Sequence, residues 1–196
     1  MCGVSGPDIT IATREPLSAA VLDDITAYLT GPCGSEAVPA RCEQFAMLVW
    51  DVHVEPKVLD VVGPWQDSPS YGARRIELYL CGQGHGDGCD GFYEQGRFVH
   101  PEDWPPLLGF TPANTISVLT SASRQPDHLI VARLSADIVD ITSGVAVVAL
   151  HHHQIDTVRQ LPGLLAVDVD EDWAEAVGGS DFLRAFAATP GFRLRK

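Results

Sequence analysis

Basic side chains are scarce in this sequence: 13 lysines and arginines stand against 26 aspartates and glutamates, for a formal net charge of −13. A chain so charged is repelled by nucleic-acid phosphates and anionic lipid surfaces, and it attracts cations and basic proteins at long range. Neither nucleic acid nor a membrane surface is therefore an expected partner. No stretch approaches the ~20 consecutive apolar residues of a membrane helix. The opening MCGVSGPDIT has no basic region followed by an apolar run, so no secretory signal is read there and cytoplasmic residence is expected. The five cysteines, Cys2, Cys33, Cys42, Cys81 and Cys89, are odd in number and lie in a chain expected to be kept reduced, which argues against a disulfide framework. Internal repeats and low-complexity linkers are also missing. What is present is globular, with 45% hydrophobic and 20% charged residues. A chain of 196 residues buries roughly 70% of its unfolded surface as one domain.

The pattern of apolar residues gives the elements. DITIAT alternates as a strand, and PLSAAVLDDITAYLTGP places Val21, Leu22, Ile25, Tyr28 and Leu29 on one helical face, with Ser18 as N-cap and Gly31-Pro32 as the stop. EQFAMLVWDVHVEP and RRIELYL read as neighbouring antiparallel strands, and NTISVLTS as a further one. PDHLIVARLSA is predicted as a short helix, then DIVDI and VAVVAL as two strands joined by TSG. A His-rich segment, a strand LLAVDV and a terminal helix SDFLRAFA with Ser180 as cap complete the chain. The expectation is a single α+β domain over residues 1–196, a largely antiparallel sheet with a few helices packed on one face.

Several stretches carry donors suited to chemistry. CGQGHGDGCDGFYEQG holds Cys81, His85 and Cys89 with Asp87 or Asp90, donors that zinc accepts. All of them fall in one glycine-rich loop, without the paired C-x-x-C spacing drawn from two segments that structural zinc sites use, and the alternative is a turn whose glycines supply positive φ. Gly86, Gly88 and Gly91 spell G-x-G-x-x-G, but Asp87 and Asp90 oppose a pyrophosphate and no helix can follow. Asp51, His53 and Glu55 share a strand face at two-residue spacing, with Glu77 and Tyr79 beside them. They read either as an acid–base or metal-assisted hydrolytic cluster, or as a solvated face that Arg75 neutralises. His151, His152 and His153 are adjacent and so cannot share a face; they read as a loop or helix start. MCGVSG is similar to the start of class II glutamine amidotransferases, which also need an Asn-Gly element; the single asparagine here, Asn114, precedes a threonine.

The second half, from Leu108 to Lys196, resembles a group of uncharacterised bacterial proteins close to polymorphic-toxin immunity proteins. The likeness rests on LGFTP, DHLIVARLSADIVDITSGVAVV, LPGLLAVDV and SDFLRAFAATPGFRLRK. It implies a small acidic protein that binds and neutralises a basic toxin domain, without catalysis and without a cofactor. The densest acidic run, Asp168, Asp170, Glu171 and Asp172, is the expected binding surface. The competing readings are a metal-dependent hydrolase using the Asp51 or Cys81 groups and a non-catalytic adaptor. Protein purified without added metal is expected to hold well under one zinc per chain. Cys89→Ser should move stability by no more than ~0.5 kcal/mol, as surface changes do. A full equivalent of zinc in elemental analysis would overturn the turn reading of the loop.

Overall fold

The structure is a computed structural model that describes residues 6–31, 40–42, 47–65, 72–83, 92–94, 97–99, 106–171 and 173–195. Its strands, in chain order, are β1 (Asp8–Thr13), β2 (Ala40–Cys42), β3 (Met47–Val54), β4 (Arg74–Gly82), β5 (Phe92–Glu94), β6 (Arg97–Val99), β7 (Asn114–Leu119), β8 (Val145–Ala149), β9 (Leu164–Val169) and β10 (Ala174–Gly178). The helices are α1 (Ala19–Thr30), α2 (Gln125–Thr142), α3 (Ile155–Val158) and α4 (Ser180–Ala187). Among the described residues eight strands form one sheet in the order β2-β3-β4-β7-β1-β8-β10-β9, every neighbouring pair antiparallel, while β5 and β6 form a separate hairpin. The expected α+β class with an antiparallel sheet is the one observed. None of the described helices is long and apolar enough to cross a membrane.

One face of the sheet carries the main core. Ile9 and Ile11 of β1, Trp50 and Val52 of β3, Ile76 and Leu78 of β4, Ile116 and Val118 of β7, and Ala146 and Val148 of β8 alternate toward the helices. β7 and β8 both pair with β1 and so run parallel to each other, and α2 makes the crossover between them. That route lays α2 across β1, β7 and β8. The opposite face is also covered at its centre. Leu107, Leu108 and Phe110 pack there on Ala12, Cys81, Val147 and Val177, and Thr10, Thr115 and Ser117 are buried beside them.

α1 begins as the sequence predicts, with the Ser18 hydroxyl accepting the Val21 N–H at 3.4 Å. Ile25 and Leu29 are fully buried, whereas Val21 and Leu22, expected in the core, are only half-buried at its margin. Thr26 ties the helix to the sheet: its hydroxyl accepts the indole N–H of the buried Trp50 at 3.1 Å and donates to the Leu22 carbonyl.

Three expectations need correction. DIVDI is no strand: it is the last part of α2, which runs for 18 residues. Ile138 and Val139 continue the three- and four-residue spacing of Ile130, Val131 and Leu134, and the burial of all five outweighs the few tenths of a kcal/mol by which β-branched residues disfavour helix. Ser143, at φ 52°, turns the chain into β8. A strand was also missed at Ala174–Gly178, where alanine and glycine have little strand propensity; its place between β8 and β9 makes it one. Gly178 is required there, because a Cβ would come within 2.4 Å of the Phe182 ring. Finally, α4 takes Gly179 as its N-cap, and Ser180 hydrogen-bonds the Asp140 carboxylate instead.

Leu183 is fully buried against this core while Leu22 is not. Leu183→Ala is expected to cost on the order of 2 to 5 kcal/mol, and Leu22→Ala less than about 2 kcal/mol, in urea unfolding. Equal losses at the two positions would contradict the packing.

Candidate functional site

The open part of the second sheet face lies over β3 and β4, where the antiparallel register sets Asp51 opposite Glu77 and His53 opposite Arg75. Alternation places Asp51, His53, Arg75, Glu77 and Tyr79 on one surface. Arg75 organises it. Its Nε and Nη2 donate to both oxygens of Asp51 at 2.7–3.0 Å, and Nη2 also lies 2.7 Å from Glu77 Oε1. The Tyr79 hydroxyl donates to the other Glu77 oxygen at 2.7 Å. The hydrogen bond from Arg75 holds the Asp51 carboxyl below its usual range. Both carboxylates are thus committed to one guanidinium. Glu55 is not part of the group: β3 ends at Val54, and Glu55 turns to Lys57 with an N–O distance of 2.5 Å. Among the described residues no three of His, Cys, Asp and Glu come together as a metal would need.

Cys81, at the end of β4, is a buried thiol under the Leu107–Leu108 segment. His85, Asp87, Cys89 and Asp90 lie outside the described residues, as do the glycines between them. His151 precedes a short 3-10 turn over His152–Gln154, stacks on His153 at 5.5 Å, and accordingly sits at a helix start. Burial, with His153, Arg195 and Arg193 nearby, lowers the His151 pKa.

The acidic run falls at the far edge of the sheet. Asp168 is on β9 opposite Glu175, and Asp170 and Glu171 form the turn to β10; Asp172 lies outside the described residues. Asp168, Asp170 and Glu171 are exposed. The Asp168 carboxylate accepts the Val169 N–H at 3.0 Å, and that of Asp170 accepts the Trp173 N–H at 2.5 Å.

A model for a family of unknown function, DUF6368, matches residues 5–196. The chain belongs to that family. No curated protein and no solved structure matches it. The family match spans the sheet, its helices and both acidic groups.

One of these was not singled out by sequence. Asp8 shares a face with Thr10 and Ala12, and the register carries the Asp51–Glu77 pair on through Leu119 to Asp8. The same face continues with Ala149, Glu175 and Asp168 on the other side of the sheet. The signal was present in the alternation of DITIAT, where Asp8 falls with the residues facing away from Ile9 and Ile11. Desolvation by burial raises the Asp8 pKa from 3.8 to about 6, against a smaller lowering by a backbone hydrogen bond. Because the folded state prefers the protonated form, this group supports stability below pH 3.8 and loses that support as pH rises through about 6. Asp8→Asn is therefore expected to stabilise the protein on the order of 1–3 kcal/mol at pH 7 and to make little difference at pH 3.5. Urea unfolding at the two pH values checks this; a loss of stability at pH 7 would show that the carboxylate is needed in its charged form.

Proposed function

We propose that this DUF6368 protein acts by binding: an immunity-like, cytoplasmic protein that covers and neutralises a basic toxin domain. The observation that carries the reading is the display of charge. The net charge is −13, and Asp168 on β9 is exposed together with Asp170 and Glu171 of the following turn at the edge of the sheet. A surface of this sign suits a partner that is itself basic, as an enzyme attacking nucleic acid must be. The resemblance of residues 108–196 to proteins near the immunity group points the same way.

The hydrolase alternative draws less support from the geometry. A general base works best with a pKa near the working pH, and Arg75 holds Asp51 in the opposite direction. Glu55, the third member of that cluster, is engaged with Lys57.

Co-expression with the product of the neighbouring gene tests the reading, with growth rescue and co-purification as readouts. Association is expected to slow at least about tenfold between low and physiological salt, while dissociation changes much less, because steering acts at long range and packing at short range. Metal-dependent turnover of phosphoester, ester or peptide substrates that His53→Ala abolishes, without any captured partner, would replace this reading with the hydrolase one.

A further inference from the structure

We infer that the outer edge of β9 is the docking strand of this protein, and that it takes an extended, lysine- or arginine-bearing segment of a partner protein by adding it to the sheet. The inference deepens the binding function proposed above and rests on it. Among the described residues no strand pairs with the outer side of β9. The turn to β10 is closed by the Asp170 N–H on the Trp173 carbonyl, so the pairs Asp168–Glu175 and Ala166–Val177 face one another with their backbone groups. Val167 and Val169 alternate with them and turn their N–H and C=O outward. The Val169 N–H is already taken by the Asp168 carboxylate, which leaves Val167 to present both donor and acceptor along the edge.

Side chains on this edge are unusual for a solvent-facing strand. The register shifts between Val177 and Gly178, where Ala166 and Leu164 are the partners across the ladder, so Leu165 is the extra residue. Leu165 is 65% exposed as a residue, and Val169 40%. The bulge thereby puts an apolar group into water at no gain to the core. Next to these two lie the carboxylates of Asp168, Asp170 and Glu171. An edge strand with two apolar contacts and an acidic end matches a strand that alternates apolar and basic residues, since backbone pairing supplies affinity and the flanking side chains supply choice. Charge selects among occupants. A second copy would bring another net charge of −13 to the same edge, whereas a basic segment is attracted to it.

The direct test uses the full chain and a capped decapeptide of alternating lysine and valine, with an alternating glutamate and valine peptide as control. The basic peptide is expected to shift the amide resonances of residues 164–171 and to slow hydrogen exchange at Val167 about tenfold at saturation, while the acidic peptide does neither. Leu165→Lys combined with Asp168→Lys, both exposed positions, should weaken peptide binding at least about tenfold with native melting retained. Val167→Pro, which deletes the outward N–H, should do the same. Shifts confined to the Asp51–Glu77 surface, or none at all, would overturn the assignment, and so would concentration-dependent dimers that Val167→Pro abolishes. A basic partner captured equally well by these variants would sink the β9 edge and keep the binding function. A chain that engages no basic protein, while the peptide still docks on β9, would sink the binding function and keep the edge.

Discussion

The carboxylate of Asp127 is 0% exposed, and a charge buried so completely must be neutralised where it stands. Two groups do so. Arg74 Nε, at the start of β4, lies 2.8 Å from Oδ1, and the Arg124 backbone N–H donates to Oδ2 at 2.6 Å. The second bond closes the first turn of α2, where the helix also favours negative charge. The first ties that turn to the sheet. Since α2 is the crossover between β7 and β8, fixing its first turn against β4 sets the line along which its buried face meets β1, β7 and β8. Removing either partner of such a pair leaves an unmatched charge in the interior, at a cost of about 3 to 5 kcal/mol.

Other polar groups extend this control outward from α2. The ring of the next residue, His128, is buried and accepts the Leu194 N–H at Nδ1, so its proton sits on Nε2, facing the Ser123 hydroxyl at 3.2 Å. Gln125 and Gln154 donate to the Phe192 and Arg193 carbonyls, so the C-terminal segment is held against the N-terminal end of α2. Further along the helix, Asp137 accepts the Tyr28 hydroxyl from α1 and Arg184 from α4, while Asp140 accepts Arg184 and Ser180. One helix thus positions the rest of its layer. Asn114 has the equivalent role at the end of β7: its amide accepts the Leu17 N–H and donates to the Cys81 and Gln83 carbonyls.

The legible parts of this fold were those written in a single period. DITIAT, RRIELYL and NTISVL alternate or run apolar over a strand's length, and α1 and α4 show their buried stripes directly. What escaped was set by partners distant in sequence. Nothing local marks Ala174–Gly178 as a strand or carries α2 through DIVDI; the neighbours that bury them decide. The surface of Asp51, Arg75, Glu77 and Tyr79 was readable because two-residue spacing on adjacent strands is enough to bring them together. Glu55 was misplaced by the same rule, applied one residue beyond the end of β3. The covering of the second face by Leu107, Leu108 and Phe110 had no period to betray it, and the burial of Asp8 likewise came from the structure, since alternation gives its face but not its depth.

Seen through its ion pairs, the acidity of the chain is a matter of allocation. Arg74 is committed to Asp127, Arg75 to Asp51 and Glu77, Arg184 to Asp137 and Asp140, Lys57 to Glu55, and Arg159 reaches Asp156 at 3.8 Å. Arg14 and Arg195 lie over the rings of Phe110 and Trp173 at 4.6 and 4.2 Å. With only 13 basic residues in the chain, most of these cations fix strands and helices, and Arg195, over Trp173, is placed at the β9–β10 turn itself. There the Asp168 and Asp170 carboxylates each accept a backbone N–H, which orients them at the end of β9. The allocation that ties the helix layer to the sheet thus sets exposed Asp168 and Glu171 beside an edge strand without a strand partner among the described residues, and carboxylates placed there oppose a second acidic copy while suiting a basic strand.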